Sequence, residues 1–78
     1  MNEFQAELEL STDGTWKVSW LLPQPQNHVL GFESSPAGLE VSDAKKWAKD
    51  VLTAEKFVEL WGWRQLEGSK KYVMRMTF

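Results

Sequence analysis

The chain has 78 residues, nine Lys and Arg against eleven Asp and Glu for a net charge of −2, and five tryptophans but no cysteine. That length suits one small domain spanning residues 1–78, and a hydrophobic share of 42% with 13% aromatics is that of a folded domain rather than a disordered chain. The missing cysteine excludes disulfides, thiol catalysis and zinc–thiolate sites together. No apolar run approaches the roughly 20 residues of a membrane span, and Met1-Asn2-Glu3 opens without a basic or apolar leader, so the expected location is cytoplasmic with no membrane partner.

Strand periodicity comes first. Phe4, Ala6, Leu8 and Leu10 alternate with polar residues, as do Trp16, Val18 and Trp20, and Ser11-Thr12-Asp13-Gly14-Thr15 lies between them. A two-residue loop would set Leu10 against Lys17 and mismatch the faces. A three-residue loop, Thr12-Asp13-Gly14, pairs Leu10 with Trp16, Leu8 with Val18 and Ala6 with Trp20, and places glycine where a left-handed residue is needed. Glu9 then stands opposite Lys17 on the outer face.

After the Pro23-Gln24-Pro25-Gln26-Asn27 loop, a third strand is expected at 28–33, with Leu30 and Phe32 inward and Val29 and Glu33 outward. Ser42 is the expected helix N-cap, with Asp43 in the first turn. The helix could end at Thr53 or run to about Leu60; Ala44, Trp47, Ala48, Val51, Ala54, Val58 and Trp61 keep helical phase, so the longer helix is expected. Trp61, Trp63 and Gln65 then lead through Glu67-Gly68-Ser69-Lys70 into Tyr72, Met74, Met76 and Phe78. This second hairpin would match Trp63 with Met74, Trp61 with Met76 and Glu67 with Lys70. The expected fold is α+β: an antiparallel sheet of about five strands, in the order β-β-β-α-β-β, packed against one helix.

The residues point away from an enzyme. The single histidine, His28, sits at a strand end, with Ser34 and Ser35 as its nearest hydroxyls. Glu7 and Glu9 share a strand face, but Glu9 has Lys17 as its cross-strand neighbour. The five glycines form no phosphate cradle, metal-ligand spacing is absent, and neither a cofactor nor a small-molecule substrate is expected.

The aromatic residues suggest a binding module. Five strands span about 24 Å, whereas one helix covers about 10–12 Å, which would leave half of an aromatic and methionine-rich face bare. Such a face marks an interface with another protein or a second copy of the chain as a homodimer, with Trp61, Trp63, Met74, Met76 and Phe78 as contacts. An alternative reading takes Lys45, Lys49, Lys56, Lys71 and Arg75 as a nucleic-acid-binding surface of a small regulatory module. Residues 1–39 hold one base and five acids while residues 40–78 hold eight bases and six acids. The acidic first hairpin therefore suggests a third reading, a small inhibitor of the phage or mobile-element type that meets a basic protein.

Overall fold

The computed structural model describes residues 3–22, 26, 28–66, 68 and 70–78. Six strands and one helix follow in chain order: β1 Glu3–Leu10, β2 Trp16–Leu21, β3 Val29–Ser34, α1 Val41–Ala54, β4 Val58–Glu59, β5 Arg64–Gln65 and β6 Lys71–Thr77. All pairings are antiparallel, in the order β3-β2-β1-β6-β4, with β5 also paired to β6. The fold is thus the α+β sheet-and-helix arrangement expected, and the sixth strand arises because the outer strand beside β6 is split in two. The expected Glu67–Lys70 pair falls outside the described residues; the neighbouring bond from the Leu66 amide to the Lys71 carbonyl closes that hairpin at 2.9 Å.

The first hairpin has the expected register: Leu10 lies opposite Trp16, Leu8 opposite Val18, Ala6 opposite Trp20 and Glu9 opposite Lys17. The Gly14 amide donates to the Ser11 carbonyl at 3.1 Å, and Gly14 takes φ +86°, the left-handed residue that this turn requires. Asp13 Oδ1 accepts from the Thr15 hydroxyl at 2.6 Å and the Thr15 amide at 3.0 Å, and these two donors hold the Asp13 carboxyl below its usual range.

Three expectations are corrected. The helix begins two residues earlier than the Ser42 cap implies: Glu40 is the N-cap, makes no side-chain capping bond, and accepts from the Ala44 amide through its carbonyl at 2.8 Å. The helix also ends at Ala54, not near Leu60. Lys56 adopts φ +74°, its amide donates to the Thr53 carbonyl at 2.9 Å, and the Phe57 amide donates to the Leu52 carbonyl at 3.0 Å. That pair of bonds is a Schellman motif, which satisfies the last carbonyls and turns Phe57 back into the core. The helical phase of Val58 and Trp61 was therefore coincidental.

A lysine in this left-handed position carries a steric cost that glycine does not, about 1–2 kcal/mol. Lys56→Gly is expected to raise the unfolding free energy by about 1 kcal/mol, read as a later urea midpoint. An earlier midpoint than that of the parent chain would place Lys56 outside the left-handed region.

The third correction concerns β3. Its register puts Phe32 opposite Ser19 and Ser34 opposite Lys17, on the face away from the helix, while Gly31 lies opposite Trp20 and Glu33 opposite Val18 on the helix side. The register shifts at Trp20/Leu21, so Val29 rather than Leu30 meets Leu21. The Lys17 ammonium sits over the Phe32 ring at 5.4 Å, which fixes Phe32 on the outer face.

One core lies between the sheet and α1. Ala6 and Leu8 of β1, Trp16, Val18 and Trp20 of β2, and Tyr72, Met74 and Met76 of β6 meet Ala44, Ala48, Leu52 and Phe57. The alanines let the helix approach a sheet whose bulk comes from tryptophans. The Trp16 indole N–H is satisfied by the Leu39 carbonyl at 2.9 Å. Ser35 is buried, its Oγ accepting from the Trp16 amide at 2.9 Å and donating to the Pro36 carbonyl at 2.8 Å, so it ties the end of β3 to β2.

Candidate functional site

The outer strand breaks where it passes Arg75. Val58 and Glu59 pair with Thr77 and Met76, whereas Arg64 and Gln65 pair with Val73 and Tyr72. The first pairs imply a register two residues away from the second, and the slack is taken up by the segment from Leu60 to Trp63. Both the Leu60 and Trp61 amides donate to the Arg75 carbonyl, at 2.9 and 3.3 Å. The second-hairpin register thus agrees with the expected Trp63–Met74 match, but the bulge removes the expected Trp61–Met76 pair, and Glu59 takes that place.

The break has two consequences at the surface. It leaves Trp61 67% exposed, with Val58 and Leu60 of the same edge segment also exposed, while Phe78, on the helix side of the sheet, is 71% exposed and makes edge contacts with Phe4 and Phe57 at 6.4 and 5.5 Å. It also opens a cleft of about 660 Å³ lined by Trp61, Trp63 and Arg64 of the broken strand together with Gln5, Val73 and Arg75 of β1 and β6. Trp63 packs partly against the core, and its indole N–H is buried with no hydrogen-bond partner among the described residues.

The five expected aromatic and methionine contacts therefore separate. Met74 and Met76 are 3% and 0% exposed, inside the core rather than on a bare sheet face. The area argument fails because the helix is not the only cover. Phe57 follows the Schellman turn onto this face, where its ring meets Phe4 at 5.3 Å and Trp20 at 6.5 Å, and Trp20 itself extends over Gly31. Trp61 and Phe78 remain at the surface and Trp63 lies between core and cleft.

The five expected phosphate contacts are divided between two faces. Lys45 lies over the Tyr72 ring at 4.6 Å, Lys49 pairs with Glu59 at 3.0 Å, and Lys56 is exposed just after the helix end. Lys71 and Arg75 are on the opposite face, paired with Glu7 at 3.4 Å and Glu3 at 2.8 Å. No single ridge unites them. Glu7 also accepts from the Gln5 amide at 3.1 Å, so the outer face of the acidic hairpin is interleaved with cations rather than uniformly negative.

His28 is exposed, and its carbonyl accepts from the Leu22 amide at 2.9 Å. Ser35 stands at the far end of β3, about 20 Å away by strand rise, with its hydroxyl engaged by Trp16 and Pro36. These groups do not form a nucleophile–base pair. Among the described residues no three His, Cys, Asp or Glu side chains gather as a metal site, and no helix is long and apolar enough to cross a membrane.

The sequence reading missed the cleft because it treated Trp61 to Gln65 as an unbroken strand. Gly62, between two tryptophans, was the one local hint of a bulge. The architecture defines the class as a small antiparallel α+β domain. No family model, characterised protein or solved structure matches the chain.

Proposed function

We propose that the chain is a non-enzymatic protein-binding module that associates with a second copy of itself through the sheet edge that carries Val58, Leu60 and Trp61. The observation that carries this reading is the exposure of Trp61 on an edge segment that also exposes Val58 and Leu60. Tryptophan placed in water forfeits a large burial energy, and such residues are enriched at the centres of interfaces. A two-fold contact at this edge would bring the same side chains together from both copies. The nearby ion pairs Arg75–Glu3 and Lys49–Glu59 provide a polar surround.

Light scattering over a range of concentrations tests the proposal. The expected mass is near twice 9.0 kDa and insensitive to salt, because apolar contacts are not screened. Trp61→Ala should return the chain to the single-copy mass while changing its stability by no more than about 0.5 kcal/mol, as for other exposed positions. A parent chain that stays monomeric, or a Trp61→Ala dimer, would overturn it.

A further inference from the structure

We infer that the cleft at the broken edge strand is a binding site for a small planar aromatic anion, a flat ring carrying a carboxylate or a phosphate. The inference does not rest on self-association, although Trp61 takes part in both.

Four observations converge on this chemistry. The cleft, at about 660 Å³, has the size of a small-molecule site. Its apolar walls come from Trp61, Trp63 and Val73, and the exposed indole of Trp61 offers a face on which a flat ring can stack. Among the described residues its charged lining is cationic: Arg64 and Arg75 contribute guanidiniums, and no carboxylate lines it. Arg75 gives its Nε to Glu3 at 2.8 Å, which leaves the terminal nitrogens of its planar fork for a second anion. Finally, the buried indole N–H of Trp63 has no acceptor among the described residues, whereas that of Trp16 is satisfied. A buried donor without a partner is rare in a folded protein, and Trp63 both packs against the core and lines the cleft. Gly62 adds room at the same place, since nothing lies within 4 Å of where its side chain would begin.

A ring without charge would leave the guanidiniums unanswered, and phosphate alone would leave the tryptophans in water. The site therefore asks for both parts in one molecule.

The test is a titration followed through the five tryptophan indole N–H signals in a nitrogen–proton correlation spectrum. Trp61→Ala and Trp63→Phe assign two of them by disappearance. The probes are indole-3-acetate and adenosine 5′-monophosphate, with neutral indole and inorganic phosphate as controls. Titrating both the parent and Val58→Ser separates the two proposals, because Val58 belongs to the self-contact and does not line the cleft. Both probes should shift the Trp61 and Trp63 signals and leave the other three in place. Each control should bind at least tenfold more weakly. Arg64→Gln, an exposed change that keeps the fold, should weaken both probes at least fivefold, and Trp63→Phe should do the same.

Three results would overturn the inference: no shift at millimolar probe, neutral indole binding as tightly as its carboxylate, or shifts spread evenly over all five signals. So would an oligothymidylate that binds a hundredfold more tightly than the mononucleotide with steep salt dependence, which would make the surface a nucleic-acid groove.

Discussion

Replacing Met76 by alanine is expected to lower the unfolding free energy by about 2–5 kcal/mol, the range for truncating a long buried side chain. Met76 is fully buried and belongs to the cluster that joins β6 to Leu52 and Phe57. The loss comprises the transfer of the missing side-chain atoms and the void left behind, which a β6 paired on both sides has little freedom to close. A domain of 78 residues has a total stability of about 4–12 kcal/mol, so the loss would range from about a sixth of that stability to all of it. Met76→Leu, which nearly conserves volume, should cost less than about 1.5 kcal/mol. Urea titrations followed by tryptophan fluorescence would measure both. A Met76→Ala midpoint equal to that of the parent would remove the residue from the core and return it to the surface role suggested by area arithmetic.

Gly31→Ala is expected to cost about 1–3 kcal/mol, although the substitution is conservative and lies on an edge strand. A methyl group at that position would stand 2.6 and 2.8 Å from two ring carbons of Trp20 and 2.9 Å from its indole nitrogen. Those distances are inside van der Waals contact. Trp20 cannot swing away without displacing Phe57, whose ring centre is 6.5 Å from its own. Moving β3 instead would strain the ladder that sets Lys17 through Leu21 against it. The clash predicts coupling: in a double-mutant cycle, Gly31→Ala should cost much less when Trp20 is already phenylalanine. Strictly additive losses would show that the tryptophan does not rest on Gly31.

That contact explains why the faces of β3 were misread. Alternation across Leu30 and Phe32 is a sound signal for an inward face when each residue covers its own patch of sheet. Here Trp20 reaches across from β2 and occupies the space above β3, so the position beneath it must have no side chain. Phe32 is left on the outer face, where Lys17 partly covers it. No local pattern announces the register shift at Leu21 either.

The candidate site was legible only in part. Trp61, Trp63 and Phe78 were identifiable as unusual because a small chain rarely places so many aromatics near one end. Met74 and Met76 could not be told from them, since all five share one alternating pattern and differ only in what lies above. Arg64 and Arg75 were visible as cations on the last hairpin, but their meeting with two tryptophans depends on a two-residue bulge. Gly62 hints at that bulge without locating it.

By itself the sequence determined the first hairpin, its register and its turn, the presence of one amphipathic helix and the α+β class. These follow from short-range rules: side chains alternate with period two in a strand, Gly14 relieves a left-handed backbone, and helical spacing collects Ala44, Ala48 and Val51 on one side. Tertiary structure decided where the helix stops, which face of β3 is inward, which strands adjoin β6, and that the outer strand breaks into a cleft. Each of those outcomes depends on residues far apart in the chain competing for the same space. Phe57 must reach Phe4 and Trp20, so the helix ends at a left-handed lysine despite continuing apolar phase, and Trp20 must lie flat, so β3 turns a glycine toward it.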